Sequence, residues 1–441
     1  MSSRSMFNRS AQLLLGIVLV GGIAACDLND VLQVSDPSRY TDEGLDDPNA
    51  LPAVANGVEG QLHFAMANIV IHTGLLSDEL MHTGTWSGYE DSDQGRHRPP
   101  PGPGTAIAST GGNQNPGGLM STRTAAQKAV ERFQRVKQAN PNFDIGRFMS
   151  QVTATEGWAS LLIAQVECEG IATPGGPAVP DTDMYAAAIT ALTNAISVAQ
   201  AAGQTTYVNF ARAGRARAYL MTGKYDEALA DAQQIPKGFQ YNAKYSESSN
   251  SNSLVTLNHY TENKAAGLDA RRWSQVDTTG AKDAFIDPSS GLPDPRVQIV
   301  LRVGNRLGVD GKTRFYSQNK YSARGDDIPM THWREMRLIE AEVYWKKGDF
   351  ATAIARINEV RTDVGLPNLT NPGTSQGVRD LLLDERFATL FLEGQRANDL
   401  YRFNLFPSVI GTGYNTKFPM NGTEVINNAL ISQPRGCPAL S

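Results

Sequence analysis

One short pattern occurs twice in this chain, and it restricts the fold more than any other feature. Tyr219 to Ala228 and Tyr344 to Ala353 both read Tyr-x3-Gly-x-aromatic-x2-Ala. A glycine between two helical stretches ends the first helix in the left-handed conformation, which other residues adopt only at a cost. The aromatic residue after it packs back between the helices, and the small alanine lets them approach closely. The pattern therefore predicts two helical hairpins of the same design.

The same spacing is similar to the tetratricopeptide repeat around its turn, and Tyr185 to Ala188 has the second half of it. Amphipathic or alanine-rich stretches predict further helices over Asn49 to Ile71, Thr122 to Ala139, Val152 to Cys168, and Asp183 to Ala201. We therefore predict a mostly α protein, built on a tetratricopeptide-like helical repeat scaffold.

A large irregular, loop-rich lobe interrupts the predicted repeats. The repeats cover about 49–235 and 331–403, and the insertion between them covers about 236–330. The insertion is rich in Ser, Asn, Gly and Asp, with one β-like run at Gln298 to Val303. Gln94 to Gly118 is a second long loop. Long irregular segments on a helical scaffold often carry binding surfaces.

The N-terminus has the features of a lipoprotein signal peptide. Arg4 and Arg9 form a positive region, and the apolar run Ala11 to Ile23 is short for a membrane span. The run ends in small residues directly before Cys26, as in a bacterial lipobox. This pattern predicts cleavage after Ala25 and lipid attachment to Cys26. The alternative is an ordinary signal peptide with a chance cysteine.

The domain organisation follows from these segments: a signal peptide over 1–25, a lipid-anchored tether over 26–48, and one domain over 49–441. The chain has a net charge of −5 and no basic stripe, which argues against a nucleic-acid partner. Export exposes the two remaining cysteines, Cys168 and Cys437, to an oxidising compartment. A disulfide between them is allowed, but the sequence does not show whether they meet.

Leu381 to Phe403 reads as one helix with charges among its apolar positions. Charges of alternating sign recur every third residue, at Glu393, Arg396, Asp399 and Arg402. As exposed i,i+3 pairs, Glu393–Arg396 and Asp399–Arg402 are each worth a few tenths of a kcal/mol. Buried between helices, the charges would instead fix register. We favour this structural role over a ligand-binding or catalytic one.

The C-terminal third resembles the SusD/RagB family. The family's charged signature is matched by Glu385-Arg386, Glu393-Gly394, Arg396, Asp399-Leu400 and Arg402. Further segments match in order at Leu338 to Glu342, Ile357 to Pro367, and Phe418 to Met420. The resemblance is strongest over Trp333 to Leu430. His332, where the family commonly has Arg, is one departure, and Asn421 in place of a proline is another.

This resemblance implies a SusD-like fold and a lipoprotein of an outer-membrane nutrient uptake system. Such a protein binds an oligosaccharide or peptide nutrient and acts as a lid on a SusC-like TonB-dependent outer-membrane transporter. It is held to the membrane by its N-terminal lipid. Asp27 favours inner-membrane retention in some bacteria, whereas the family favours the outer membrane and the cell surface. The alternatives are a lipoprotein scaffold for envelope complexes and, with less support, a glycan hydrolase.

No motif for catalysis, a metal or a cofactor is recognisable. Gly311 to Thr313 lacks the earlier glycine of a phosphate-binding loop, and the histidines have no metal-ligand spacing. Aromatic residues in loops are a better indication of a site, since sugars stack their C–H faces on aromatic rings. The candidates for ligand contact are Trp86, Tyr89, Tyr260 and Trp273.

The lipobox predicts that Cys26→Ala prevents lipidation, because the thiol is the acceptor of the diacylglyceryl group. We expect an unprocessed or unlipidated chain, detected by its mass and by detergent-phase partitioning. A Cys26→Ala protein that still partitions with membrane lipoproteins at its normal mass would refute the assignment.

Overall fold

The computed structural model describes residues 42–95, 118–173, 175–259, 264–269, 284–300, 307–420, 428–431 and 437. Cys26, Tyr260, Trp273 and most of the predicted loop 94–118 lie outside the described residues. The chain divides into two compact units, 1–47 and 48–441. In the first unit, the described part contains one 3-10 helix, Glu43–Asp46.

The second unit is mostly α-helical, which confirms the predicted fold class. After a 3-10 helix at Pro48–Ala50, its helices are α1 Leu51–Leu76, α2 Ser87–Asp93, α3 Leu119–Ala139, α4 Gly146–Val166, α5 Asp181–Ala201, α6 Thr205–Met221, α7 Tyr225–Ala232, α8 Ser253–Asn258, α9 Trp333–Lys346, α10 Phe350–Asp363, α11 Ser375–Thr389, α12 Arg396–Arg402 and α13 Phe406–Val409. Among the described helices, none is long and apolar enough to cross a membrane.

Both predicted hairpins form at the two repeated glycines. Gly223 joins α6 to α7 with φ of 71°, and Gly348 joins α9 to α10 with φ of 79°. In each turn the next residue donates its N–H to the carbonyl of the pattern's tyrosine, Tyr219 or Tyr344, at 2.9 Å. A Cβ at either glycine would meet no atom within 4 Å. The backbone conformation, and not lack of space, is therefore the reason for glycine.

Helix α9 brings the two hairpins together. One of its faces packs on α6 and α7, where Met336 and Val343 are buried against Ala216 and Ala228. Its other face packs on α10 and α11, where Leu338 is buried among residues of both helices. The small alanines allow this close helix packing. Two repeats that are far apart in sequence thus form one continuous scaffold.

The structure also contains four short pairs of antiparallel strands among the described residues. The strands are β1 Leu80–His82, β2 Glu169–Ile171, β3 Ala178–Pro180, β4 Gln240–Ala243, β5 Ala266–Leu268, β6 Ile299–Val300, β7 Ser317–Gln318 and β8 Ile328–His332. The pairs are β1–β5, β2–β3, β4–β8 and β6–β7. Gln240 lies opposite His332, so β4 and β8 close the insertion at its two ends.

The prediction of a single helix over Leu381 to Phe403 is wrong. Helix α11 ends at Thr389, and α12 begins at Arg396. Between them, Leu392 and Gly394 have φ of 53° and 73°, which is incompatible with a continuous right-handed helix. A Cβ at Gly394 would lie 3.4 Å from Ile69 of α1, so the turn is packed against that helix. Tertiary packing here overrides a sequence with good helical periodicity.

A disulfide joins Cys168 and Cys437, and this settles the question that the sequence left open. Cys168 follows α4, and its N–H also bonds to the carbonyl of Phe418 at 3.0 Å. The C-terminal segment is thus attached to the helical scaffold both covalently and by backbone hydrogen bonds.

Candidate functional site

A buried chain of ion pairs connects α11, α12 and α9. Arg386 donates two hydrogen bonds to Asp399, at 2.9 and 2.8 Å, and both side chains are buried. Arg402 bonds Asp399 at 2.9 Å and Glu342 of α9 at 2.8 and 2.7 Å. The predicted Asp399–Arg402 contact is therefore present, as one link in a longer relay. Bidentate geometry of this kind fixes the orientation of both partners.

The predicted Glu393–Arg396 pair is not formed, because the two residues flank the start of α12 and do not share a helix. Arg396 instead donates to both oxygens of Asp78, at 2.7 and 2.8 Å. Glu393 accepts from Lys320 at 2.7 Å and contacts His332 at 3.0 Å. Each charge thus connects the turn to a segment that is distant in sequence.

His332 contributes to this arrangement through both ring nitrogens. Its Nδ1 accepts the N–H of Glu335 and caps α9, so Nε2 carries the proton that is donated to Glu393. Burial alone would raise the pKa of Glu393, but Lys320 and His332 outweigh it and lower the pKa to about 2. His332 therefore supplies a hydrogen-bond donor at the position where the family commonly has arginine.

Glu385 lies at a second junction, between α10, α11 and the insertion. It accepts from Arg361 at 3.1 Å and also pairs with Arg296 of the insertion. Arg361 in turn donates to Asp287 at 3.1 and 2.9 Å. The charged groups of all six motif residues are thus held by oppositely charged or polar partners. We propose a structural role for the motif on this geometry.

Two acidic residues after the end of α1, which were not predicted from the sequence, complete the network. Asp78 pairs with Arg396, and Glu79 accepts the N–H of Leu392 at 2.7 Å. The other carboxylate oxygen of Glu79 is buried without a partner. Burial raises the pKa of Glu79 to about 8. Two adjacent acids directly after a long apolar helix are the signal that could have identified them.

The candidate ligand residues Trp86 and Tyr89 lie together at the start of α2. Their ring centroids are 5.5 Å apart, and the rings are tilted by 42°. Tyr89 is half-buried with its ring 5.1 Å from that of His72 on α1, whereas Trp86 is 50% exposed. We call this pair the Trp86 surface. It presents an exposed aromatic ring on a base that packs against α1, and such a ring can cover an apolar face of a ligand.

A loop from the insertion lies beside the Trp86 surface. Asp310 donates its backbone N–H to the carbonyl of Thr83, three residues before Trp86, at 3.1 Å. A Cβ at Gly308 would lie 2.2 Å from that carbonyl, so glycine permits this close approach. Leu307 and Val309 of the same loop are exposed. The insertion therefore adds apolar surface close to the segment that carries Trp86.

Two sequence comparisons identify the family. The sequence profile of the SusD family matches residues 304–432. The starch-binding protein SusD of Bacteroides thetaiotaomicron is 31% identical over 124 residues, which are 25% of this chain. The C-terminal part of this chain, residues 304–432, belongs to the SusD/RagB family. The matched stretch spans only 21% of the length of that SusD protein. The profile match over residues 304–432 includes the charged motif of this chain but not the Trp86 surface.

Solved structures share the fold over nearly their whole length. A SusD superfamily protein from Bacteroides vulgatus has a TM-score of 0.62 at 15% identity, covering 88% of this chain and 98% of the other. A SusD-like protein from Bacteroides fragilis has a TM-score of 0.64 at 13% identity, covering 90% and 98%. Surface glycan-binding protein A from Bacteroides thetaiotaomicron, solved with laminarihexaose, has a TM-score of 0.64 at 13% identity, covering 87% and 99%.

Removal of Arg396 tests the structural role of the network. Arg396→Ala removes the guanidinium group that donates to both oxygens of buried Asp78, so we expect the free energy of unfolding to fall by about 3–5 kcal/mol. Chemical denaturation measures this loss. Arg334→Ala is the matched control, because its pair with Asp363 is partly exposed and is worth about 0–1 kcal/mol. An Arg396→Ala protein with unchanged stability and no ligand binding would show that the residue serves the ligand.

The buried carboxyl of Glu79 predicts a pH dependence of stability. Its pKa is raised in the folded state from 4.5 to about 8, so the folded state binds the proton more tightly. This contribution to stability is complete below pH 4.5 and is lost as the pH rises towards 8. Glu79→Gln keeps an acceptor for Leu392 and should flatten the fall in unfolding free energy between pH 5 and 8. Urea unfolding at several pH values measures this dependence. Glu227→Gln is the control, because Glu227 is exposed. A slope equal to that of the parent contradicts the assignment.

Proposed function

We propose that this SusD-like protein is a lipid-anchored outer-membrane protein that binds a glycan at the Trp86 surface. In this proposal it acts as a lid on a SusC-like TonB-dependent transporter and passes the glycan into the barrel. The observation that carries the binding role is the exposed Trp86 ring, which lies beside Tyr89, whose own ring packs near His72 of α1.

The chemistry of this surface suits a neutral oligosaccharide. A sugar ring offers a flat face of C–H groups, which an exposed indole ring can cover while the hydroxyls remain in water or meet polar groups at the rim. Glu90 and Asp310 are candidates for such groups, since the N–H of Glu90 bonds to the carbonyl of Trp86 and the N–H of Asp310 bonds to the carbonyl of Thr83. The net charge of −5 disfavours a polyanionic ligand. A peptide is the alternative ligand, and Tyr260 and Trp273 stay candidate contacts.

The relatives support the choice of a glycan. One relative is named a starch-binding protein, and a structural neighbour was solved with laminarihexaose. Delivery to a transporter requires release as well as capture. We therefore expect micromolar or weaker affinity, about −8 kcal/mol or less in magnitude.

Catalysis is not part of the proposal. Glu385, Glu393 and Asp399 each accept from positively charged or donor partners in the buried network, which leaves them poorly suited to protonate a leaving group. The alternative function, a lipoprotein scaffold for envelope complexes, is supported by the helical repeats. Affinity purification of the lipidated protein separates the two: a large β-barrel transporter favours the lid role, and recovery of assembly factors alone favours the scaffold.

Truncation of the exposed indole tests the glycan site. Trp86→Ala should weaken binding of a neutral oligosaccharide by about tenfold, which corresponds to about 1.4 kcal/mol of lost stacking. Isothermal titration calorimetry with maltohexaose and laminarihexaose measures the change. Leu292→Ala is the matched control, because Leu292 is also 50% exposed. Trp273→Ala is titrated in parallel. If a glycan binds and neither tryptophan substitution weakens it, the site assignment is wrong, although the uptake role can stand.

A further inference from the structure

A cavity of about 430 Å³ opens between the start of α5, the end of α6 and α12. We call it the repeat cavity, and the residues that define it are Asp181, Tyr185, Ile189, Met221, Lys224 and Tyr401. Its volume falls in the range of about 300–1,000 Å³ that is usual for small-molecule sites. Neither Trp86 nor Tyr89 lines it, so it is separate from the Trp86 surface.

The lining of the repeat cavity combines apolar surface with a few polar groups. Ile189 and Met221 contribute aliphatic surface, and the ring of Tyr401 is 43% exposed. Asp181 contributes a carboxylate that accepts hydrogen bonds, and Lys224 contributes an ammonium group that donates them. An aromatic face next to both acceptors and donors is the combination that a sugar ring needs, because each hydroxyl both donates and accepts.

Tyr185 adds an unsatisfied hydrogen-bonding group. Its side chain lines the cavity, is only 3% exposed, and has a hydroxyl without a hydrogen-bond partner. Burial and then the nearby Asp181 carboxylate raise its pKa, so the hydroxyl stays protonated and able to donate. A buried donor without an acceptor is unfavourable. A ligand that brings an acceptor to the base of the cavity would relieve this.

Lys417 holds the aromatic and acidic groups of the cavity in place. Its Nζ donates to Asp181 at 2.6 Å and to the carbonyl of Ala164 at 3.0 Å. The same Nζ lies 4.9 Å from the ring centroid of Tyr401 and 5.3 Å from that of Tyr185. One buried ammonium group thus orients both rings and the carboxylate before any ligand arrives. Preorganisation of this kind reduces the entropy lost on binding.

We infer that the repeat cavity is a second binding site, which takes one or two rings of a neutral sugar. The apolar face of the sugar packs on Tyr401, and its hydroxyls bond to Asp181 and Lys224. This inference rests on the proposed function for the class of ligand, and it adds a site on the helical repeats to the one at Trp86. A glycan chain held at two places would be oriented as well as captured.

The test blocks each site separately in the full-length chain. Ala186 lines the cavity and is exposed, so Ala186→Trp fills the space without disturbing the core. Ala201→Trp, on an exposed position at the end of the same helix, is the matched control. Maltohexaose and laminarihexaose are titrated into the parent, these two variants, Trp86→Ala and the double variant Trp86→Ala/Ala186→Trp. Thermal melting verifies that every variant is folded.

We expect Trp86→Ala to retain residual sugar binding, and Ala186→Trp to reduce that residual affinity by about tenfold or more. Tyr401→Ala should have a similar effect, and Ala201→Trp should have none. If the parent binds sugar and Ala186→Trp changes neither affinity nor stoichiometry, the second site is wrong and the proposed function stands. If Ala186→Trp abolishes binding and Trp86→Ala leaves it intact, the cavity is the principal site and the Trp86 assignment fails. If neither sugar binds the parent, both are overturned.

Discussion

The fold depends on the relay of ion pairs from Arg386 through Asp399 and Arg402 to Glu342. These side chains are buried or nearly so, and they join α11, α12 and α9 by paired hydrogen bonds. Burial of charge is costly unless the partner geometry is good and the remaining donors and acceptors are satisfied. The relay meets the first condition with bidentate contacts between Arg386 and Asp399 and between Arg402 and Glu342, although one guanidinium nitrogen of Arg386 is buried without a partner. It fixes the register of three helices at the junction of the repeats and the C-terminal segment.

The same junction positions the Trp86 surface. Asp78 and Glu79 lie between the end of α1 and strand β1, which leads to Trp86. Arg396 holds Asp78, and the left-handed Leu392 donates its N–H to Glu79. Together they connect the C-terminal turn to the base of the strand. The exposed Trp86 ring gains a defined position because Asp78 and Glu79 hold the segment before β1, and the backbone bond from Asp310 to Thr83 holds the segment after it.

The repeat cavity depends on the junction in a similar way. Tyr401 lies on α12 between Asp399 and Arg402, so the ion pairs that orient α12 also direct this ring towards the cavity. The disulfide between Cys168 and Cys437 joins the C-terminal segment to the end of α4. Ala164, whose carbonyl accepts from Lys417, lies four residues before Cys168. The contacts that hold the fold thus also position both proposed binding surfaces. A purely apolar core would not place polar groups at defined points on two separate surfaces.

The sequence by itself determined the local features. Gly223 and Gly348 identify the hairpins because the left-handed backbone conformation that ends a helix depends on adjacent residues. The charged motif of the C-terminal segment is recognisable from the order and spacing of its residues. The tertiary structure decided the break after Thr389, the pairing of Arg396 with Asp78, the Cys168–Cys437 disulfide and the exposure of Trp86. The reason is physical: these features depend on which distant segments pack together. Packing of the turn at Gly394 against α1 outweighs local helical preference, and the pair of Arg396 with Asp78, more than 300 residues away in sequence, offsets the cost of burying those charges.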